Sequence, residues 1–209
     1  MSDSYKTLKK YSSDEFVEKR SRFIGYAMPV TSEKQAIDFI NKIKKEHWDA
    51  RHNCYAYSLR KNGIKRYSDD GEPQGTAGVP MLEVLNKNEI VDAVVVVTRY
   101  FGGILLGTGG LARAYSQGAK IALNACGIVT MSMCAECCVS CSYNRYGKIN
   151  TLIMNNGGAV DDTAFADDVK LSFHIPVDLL PALKKDIADA TAGEGEVEII
   201  DEKYYETAE

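Results

Sequence analysis

A chain of 209 residues is long for one compact domain and comfortable for two, since domains usually run to roughly 100–150 residues. Hydrophobic residues make up 45% and charged ones 26%, a balance that excludes a disordered chain. No segment approaches the ~18 uninterrupted apolar residues of a membrane helix. The opening MSDSYKTLKKYSSDE has no apolar run between a basic start and a cleavage site, so the expectation is a cytoplasmic protein without membrane association. Its six cysteines are then expected to be free thiols.

The net charge of −4 conceals an asymmetry. Residues 1–130 carry 19 Lys and Arg against 14 Asp and Glu, whereas residues 131–209 carry 6 against 15. A mildly basic half joined to a strongly acidic one suggests separate partners for the two, with solubility as the plain alternative.

In chain order, an extended stretch covers roughly residues 15–30. Ser32 and Gln35 then form a capping box that starts a helix. Its apolar stripe is Ala36, Ile37, Ile40, Ile43 and His47, and it ends before Arg51. HNCYAYSLR reads as a strand, and Asn62-Gly63 as the tight turn of a hairpin. After a helix over residues 76–85, VDAVVVVTRY runs apolar without alternation, as a strand covered on both faces does, and should be the centre of the first sheet. FGGILLGTGG leads into a helix with Leu111, Ala114, Tyr115, Gly118 and Ala122 on one face and Gly127 as its C-cap.

The remainder reads strand 128–141, helix 145–155, a turn at Asn156-Gly157-Gly158, strands 159–165 and 169–177, helix 179–190 and strand 196–203. That order, βαββαβ, predicts a ferredoxin-like plait. The fold class is α+β, with domains over residues 1–130 and 131–209.

Five stretches carry candidate chemistry. The hairpin at residues 55–67 holds Arg60, Lys61, Lys65 and Arg66 beside Tyr55, Tyr57 and Tyr67. Rings that stack bases beside cations that neutralise phosphates suit single-stranded nucleic acid, although a solvated hairpin tip has the same composition. SDDGEPQGTAGVP bunches Asp69, Asp70 and Glu72 among glycines and prolines, which fits a scaffold turn, a ligand contact or, less well, Mg²⁺. In RYFGGILLGTGGLARAY, Gly102 and Gly103 precede a helix start at Thr108, Gly109 and Gly110, where backbone N–H groups can face an anion, with Arg99 and Arg113 as counter-charges. Glycines placed for close helix-on-sheet packing are the competing account. The stretch is neither a Walker A loop nor a dinucleotide fingerprint, so no nucleotide cofactor is predicted.

Cys134, Cys137, Cys138 and Cys141 abut, whereas paired zinc motifs are separated by a loop, and on a strand they alternate in facing. They read as small buried hydrophobes and no metal is predicted. Finally, His52 and Cys54 share one strand face and could pair as imidazole and thiolate, with Asp69 or Asp70 as orienter. His47 and His174 read as packing residues.

Taken together, Ser21-Arg22-Phe23, His52-Asn53-Cys54-x-Ala56, Asp69-Asp70-Gly71-Glu72-Pro73-x-Gly75-Thr76-Ala77-Gly78-x-Pro80 and the run from Arg99 to Tyr115 resemble the YigZ/IMPACT family in order and spacing. The resemblance covers essentially the whole chain. It implies a first domain with the fold of ribosomal-protein-like second domains, a left-handed βαβ arrangement also found in the fourth domain of elongation factor G, and a second domain like that factor's fifth. By analogy it implies RNA or ribosome binding. The expectation is therefore a non-catalytic RNA- or ribosome-binding protein that modulates translation, with the acidic second domain available to a protein partner. The alternative is an enzyme acting on a small phosphorylated or peptide-like substrate through His52, Asp69, Asp70 and Glu72, with Arg99 and Arg113.

Overall fold

The computed structural model describes residues 3–193 and 195–207. The chain separates into two compact units, Tyr5–Thr130 and a second built from Met131–Glu209 with the first four residues.

The first unit is organised by a five-stranded sheet in the order β2-β3-β6-β4-β5, formed by β2 (Ser12–Glu18), β3 (Ser21–Pro29), β4 (His52–Ser58), β5 (Lys65–Ser68) and β6 (Ala93–Tyr100). Each neighbouring pair is antiparallel. β3 and β4 therefore run parallel on either side of β6, joined by helix α1 (Glu33–Glu46). The valines of β6 split as an uninterrupted apolar run requires: Val94 and Val96 pack with α1, while Val95 and Val97 pack beneath α2 (Gly78–Lys87) and α3 (Thr108–Cys126). β6 is thus the central strand, covered on both faces.

Glycines set how closely α3 lies on the sheet. A Cβ added at Gly25 of β3 would stand 2.2 Å from the carbonyl oxygen of Gly118, and one at Gly118 would stand 2.9 Å from Val97. The close-packing account of small residues on this helix holds at these two positions. Ser32 caps α1 by accepting from the N–H of Gln35 at 3.3 Å, but the buried stripe is Ala36, Phe39, Ile40 and Ile43. Ile37 is exposed instead, because the stripe centres on Ala36, Ile40 and Ile43 and is widened on the side of Phe39 rather than that of Ile37. His47 bridges Tyr26 and Tyr100 by hydrogen bonds of 2.6 and 2.9 Å.

Two features escaped the sequence reading. β1 (Ser4–Leu8) precedes the expected extended stretch, and that stretch is itself a hairpin. Glu18 pairs with Ser21, so its turn consists of Lys19 and Arg20 alone, at φ 46° and 65°. Turns of this kind normally take Asn-Gly, which is why no turn signal was visible.

In the second unit, β7 (Ile128–Cys141), α4 (Tyr143–Asn155), β8 (Ala159–Phe165), β9 (Val169–Pro176), α5 (Leu180–Thr191) and β10 (Val197–Thr207) follow the predicted order. β10 pairs β7, β7 pairs β9 and β9 pairs β8, the strand order of a ferredoxin-like plait. Cys137 and Cys141 face the core beneath α4 and α5 with Ile149, Leu171, Phe173 and Ile187. Cys134 and Cys138 take the other face, and all four are buried free thiols. His174 is not simply a packing residue, since its ring stacks on Tyr205 at 3.9 Å and its Nδ1 meets Asp161 at 2.8 Å. No helix among the described residues is long and apolar enough to cross a membrane.

Candidate functional site

Sheet register determines which candidates meet. His52 is paired with Arg99, and Arg22 with Tyr100, so β6 ends where β4 and β3 begin. The Lys19-Arg20 turn, the Phe101–Gly107 loop and the segment before His52 therefore leave one end of the sheet together. Gly102 locks this junction: its N–H donates to Ser21 Oγ at 3.2 Å, and a Cβ there would fall 2.0 Å from the carbonyl of Arg20. Gly103, at φ +83° with open space around it, serves the turn.

At this end Glu72, Arg99, Tyr115 and His52 form a buried polar cluster. Glu72 Oε1 accepts from Arg99 Nη1 and from the Tyr115 hydroxyl, each at 2.7 Å, and His52 Nε2 lies 3.9 Å away. Arg99 Nη2 reaches Ser21 Oγ at 3.4 Å, while its Nε–H is buried without a partner among the described residues. Burial pushes the Tyr115 hydroxyl far above its usual range, reinforced by Cys54 and Glu72; it acts as a fixed donor. His52 Nδ1 lies 2.9 Å from the carbonyl oxygen of Asp70, which can only accept, so the Nδ1–H donates to it.

Beside the cluster lies a cavity of about 380 Å³. Arg99, Glu72 and Leu111, all buried, are wall residues, while Phe101 and Leu105, 44% and 82% exposed, stand at its mouth. Arg51, His52, Gly107 and Thr108 complete the polar side. Gly107 at φ +74° starts α3 without any side-chain cap, leaving the first backbone N–H groups of a 19-residue helix with no intrahelical acceptor. A second hollow of about 360 Å³ adjoins α3, lined by Phe16, Lys19, Leu106, Gly110, Arg113 and others.

The acidic loop divides in its duties. Asp69 accepts from the N–H groups of Gly75, Ala77 and Gly78 at 2.8–3.0 Å. Burial alone would raise its carboxyl, but these three donors prevail and hold it below the usual carboxylate range. Asp70 is taken by Lys44 at 2.6 Å and by the N–H of Asn53 at 2.7 Å. Both carboxylates are scaffold, and of the expected acidic trio only Glu72 reaches the cavity. The imidazole–thiolate pair is not formed: the Cys54 thiol donates to the carbonyl of Asp69 at 2.9 Å inside the core. Burial drives its pKa upward, opposite to what a nucleophilic thiolate needs.

The cationic hairpin lies elsewhere. Ser58 pairs with both Ala93 and Lys65, so Arg60, Lys61, Lys65 and Arg66 sit at the far end of β4, about 20 Å from His52 at ~3.3 Å per residue. Asn62 and Gly63 take positive φ as expected, but the turn is longer than a two-residue one: Leu59 bonds Ile64 across residues 60–63, and Lys65 and Arg66 face Ser58 and Tyr57 rather than Arg60 and Lys61. Its charges are partly engaged: Arg60 lies over the Tyr5 ring at 4.2 Å and 3.7 Å from Asp92, and Lys65 donates to Asn86 at 2.6 Å. Tyr57 is buried and donates to Glu33, leaving Tyr67 as the most exposed ring of the three. The expected single surface shared by hairpin and glycine-rich turn is therefore not what the sheet builds. Arg99 is buried in the Glu72 pair, and Arg113 is exposed on the outer side of α3.

Lys19, Arg20, Arg51 and Arg113 are exposed cations at the glycine-rich end without an ion-pair partner among the described residues, whereas exposed Arg22 there is paired with Glu15 at 2.5 Å, and Glu18 lines the same hollow as Lys19 and Arg113. Sequence reasoning passed over the first three because each is an isolated surface charge until sheet pairing brings the loops together.

Comparison with known proteins defines the class. Residues 19–123 match the Impact N-terminal domain, which contains this entire site, and residues 139–194 match a domain of unknown function (DUF1949). The chain belongs to the IMPACT family. It is 39% identical over 209 residues to the IMPACT family member YvyE of Bacillus subtilis, covering 100% of this chain and 96% of that one. It is 33% identical over 187 residues to the IMPACT family member YigZ of Escherichia coli, covering 88% and 92%. The Protein IMPACT homolog of Dictyostelium discoideum is 39% identical over 102 residues, 46% of this chain and 29% of that protein. A crystal structure titled as a hypothetical protein superposes with a TM-score of 0.60 at 31% identity, covering 97% of this chain and all of that one.

Proposed function

We propose that this is a non-catalytic RNA- or ribosome-binding protein that modulates translation, and that its main RNA contact is the glycine-rich end of the first sheet. The observation that carries the reading is the grouping there of Lys19, Arg20, Arg51 and Arg113 around the uncapped start of α3. Trp48, 83% exposed just past α1, and Phe101 offer ring faces at the same end. Cations that neutralise phosphates, with rings that stack bases, are what single-stranded RNA requires. The hairpin of Arg60, Lys61, Lys65 and Arg66 is a second contact, about 20 Å off along β4, reachable by an extended RNA or a ribosomal surface. The acidic second unit repels RNA and is assigned to a protein partner.

The test is equilibrium binding to a single-stranded RNA and co-sedimentation with ribosomes across a salt series. If four phosphates are neutralised, log K falls against log salt with a slope near −3, from about −0.7 per phosphate on single strands. Replacing Lys19, Arg20, Arg51 and Arg113 by Gln should take about 3 off the measured slope, leaving the smaller share due to the hairpin, while the corresponding hairpin variant should weaken binding less. Salt-independent binding, or an unaltered slope in the first variant, would defeat the assignment.

One observation favours a second reading. Donation from His52 Nδ1–H to the Asp70 carbonyl turns Nε2 toward Glu72 at the cavity wall, and an imidazole nitrogen so placed could serve as a general base. An enzyme of this kind would work through His52 and Glu72, with Asp69 and Asp70 confined to support. Turnover of an RNA or nucleotide by the wild type that His52→Gln abolishes would favour this reading.

A further inference from the structure

We infer that the apex of the loop between β6 and α3, residues 103–105, is an apolar wedge that enters the gap beside an unpaired base in structured RNA. The inference rests on the RNA-binding reading and adds to it the kind of RNA that the glycine-rich end selects.

Phe101, Ile104 and Leu105 are 44%, 40% and 82% exposed, and Phe101 and Leu105 meet at the rim of one hollow. Single exposed apolar residues are ordinary, but several around one apex form a patch, and such patches mark interaction sites. The apex is also fixed on both sides. Gly102 N–H donates to Ser21 Oγ at 3.2 Å, and Leu106 packs against the core of the first unit. Residues 103–105 therefore project between two anchored points, with Gly103 and Gly107 at φ +83° and +74° making the bends. A projection held in this way enters a partner without first having to be ordered. Cations stand on either side of it. Arg51 shares the hollow of Phe101 and Leu105, while Lys19 and Arg113 share with Leu106 the second hollow, where Glu18 offsets only part of their charge. Apolar groups set among cations complement a polyanion whose apolar faces lie between its charges, as bases lie between phosphates.

The side chains at the apex select the kind of RNA. Ile104 and Leu105 have no ring to stack on a base, so they act by filling space between neighbouring bases, as apolar side chains do when they enter a base step. Unstacking an intact duplex step costs about as much as burying one or two aliphatic side chains returns. At a bulge or junction the stack is already interrupted and the base already unpaired, so that cost is small. Insertion is thus favourable beside an unpaired base and close to neutral in a perfect duplex. Phe101 and the half-open hollow of about 380 Å³ behind it give the displaced base an apolar resting place, which a flat lipid surface would not require.

The experiment uses the full chain and an RNA hairpin with a single-nucleotide bulge, compared by fluorescence anisotropy with the same hairpin fully paired, and repeated with 2-aminopurine as the bulged base. The bulged hairpin should bind about tenfold tighter, the scale of one base contact, and the 2-aminopurine should brighten as it leaves the stack. Leu105→Ser should remove most of that preference, and Ile104→Ser in addition should remove the rest. Both side chains are exposed, so the melting temperature should not change. The slope of log K against log salt should also stay as in wild type, because no phosphate contact is lost. Equal binding of the two hairpins with ordinary salt dependence leaves RNA binding standing and overturns the wedge. A preference without brightening, or one that survives the double variant, overturns it too. If neither hairpin nor any single strand binds, the RNA-binding reading falls and takes the wedge with it. Leu105-dependent binding to anionic phospholipid vesicles, or Leu105-dependent self-association, in the absence of a bulge preference gives the apex to lipid or to a second copy and overturns the inference.

Discussion

Glu72→Ala tests the buried cluster on which the candidate site is built. Glu72 and Arg99 expose 3% and 6% of their side chains, and Glu72 Oε1 takes both the guanidinium and the Tyr115 hydroxyl at 2.7 Å. Removing one member of a buried ion pair strands the other charge, at about 3–5 kcal/mol. Replacing the whole set by apolar residues of similar volume is often neutral, because the desolvation cost vanishes with the charges. Glu72→Leu with Arg99→Met and Tyr115→Phe should therefore lie within about 1–2 kcal/mol of wild type. With a urea dependence of about 2 kcal/mol per molar, a loss of 4 kcal/mol lowers the midpoint by about 2 M. The readout is amide hydrogen exchange of β6 peptides in graded urea, which separates the first unit from the second. The triple variant should remain folded. A midpoint drop below about 0.5 M for Glu72→Ala, or a triple variant as unstable as the single one, would refute the view that an obligate buried pair forms the wall of this cavity.

Other substitutions separate architecture from binding. Changing Lys19-Arg20 to Asn-Gly supplies the residues that two consecutive positive φ angles favour, and should stabilise the first unit by about 1 kcal/mol while weakening RNA binding, as thermal melts and anisotropy would record; an unstable but fully binding variant would contradict this. Gly25→Ala drives a Cβ to 2.2 Å from the Gly118 carbonyl and should cost about 3 kcal/mol or more, measured by urea unfolding. Asp69→Asn should destabilise at neutral pH. Because the folded carboxyl is held below its ordinary value, its stabilising contribution is present above pH ~4 and disappears as pH falls through the folded value. Melting curves of wild type and variant should therefore converge in acid, and a gap that stays constant down to low pH would exclude the charge as its source.

Much of this molecule was legible before any coordinates. The unbroken valine run announced a strand covered on both faces, because a period of neither 2 nor 3.6 leaves no side for solvent. β6 is that strand. Ser32 marked the start of α1, and Asn62-Gly63 marked a turn, because these residue types solve local backbone problems wherever they occur. The strand and helix order of the second unit was readable for the same reason. The Lys19-Arg20 turn was not, since its residues are held at positive φ by flanking pairs rather than by their own preference.

What the sequence determined by itself was thus the elements from α1 onward, the central strand, the family and the residue types available for chemistry, while β1 and the β2–β3 hairpin were not legible in it. Only the tertiary structure decided which of them meet. Register puts His52 against Arg99 and sends the Lys65 turn to the opposite end, so two anion-seeking segments that look equivalent in sequence have different neighbours. It also consumed Asp69 and Asp70 as turn supports and buried Cys54, leaving Glu72 at the cavity. The physical reason is that helix, strand and turn signals arise from interactions within a few residues. A site is made by contacts between residues tens of positions apart, which exist only after the sheet has chosen its pairing.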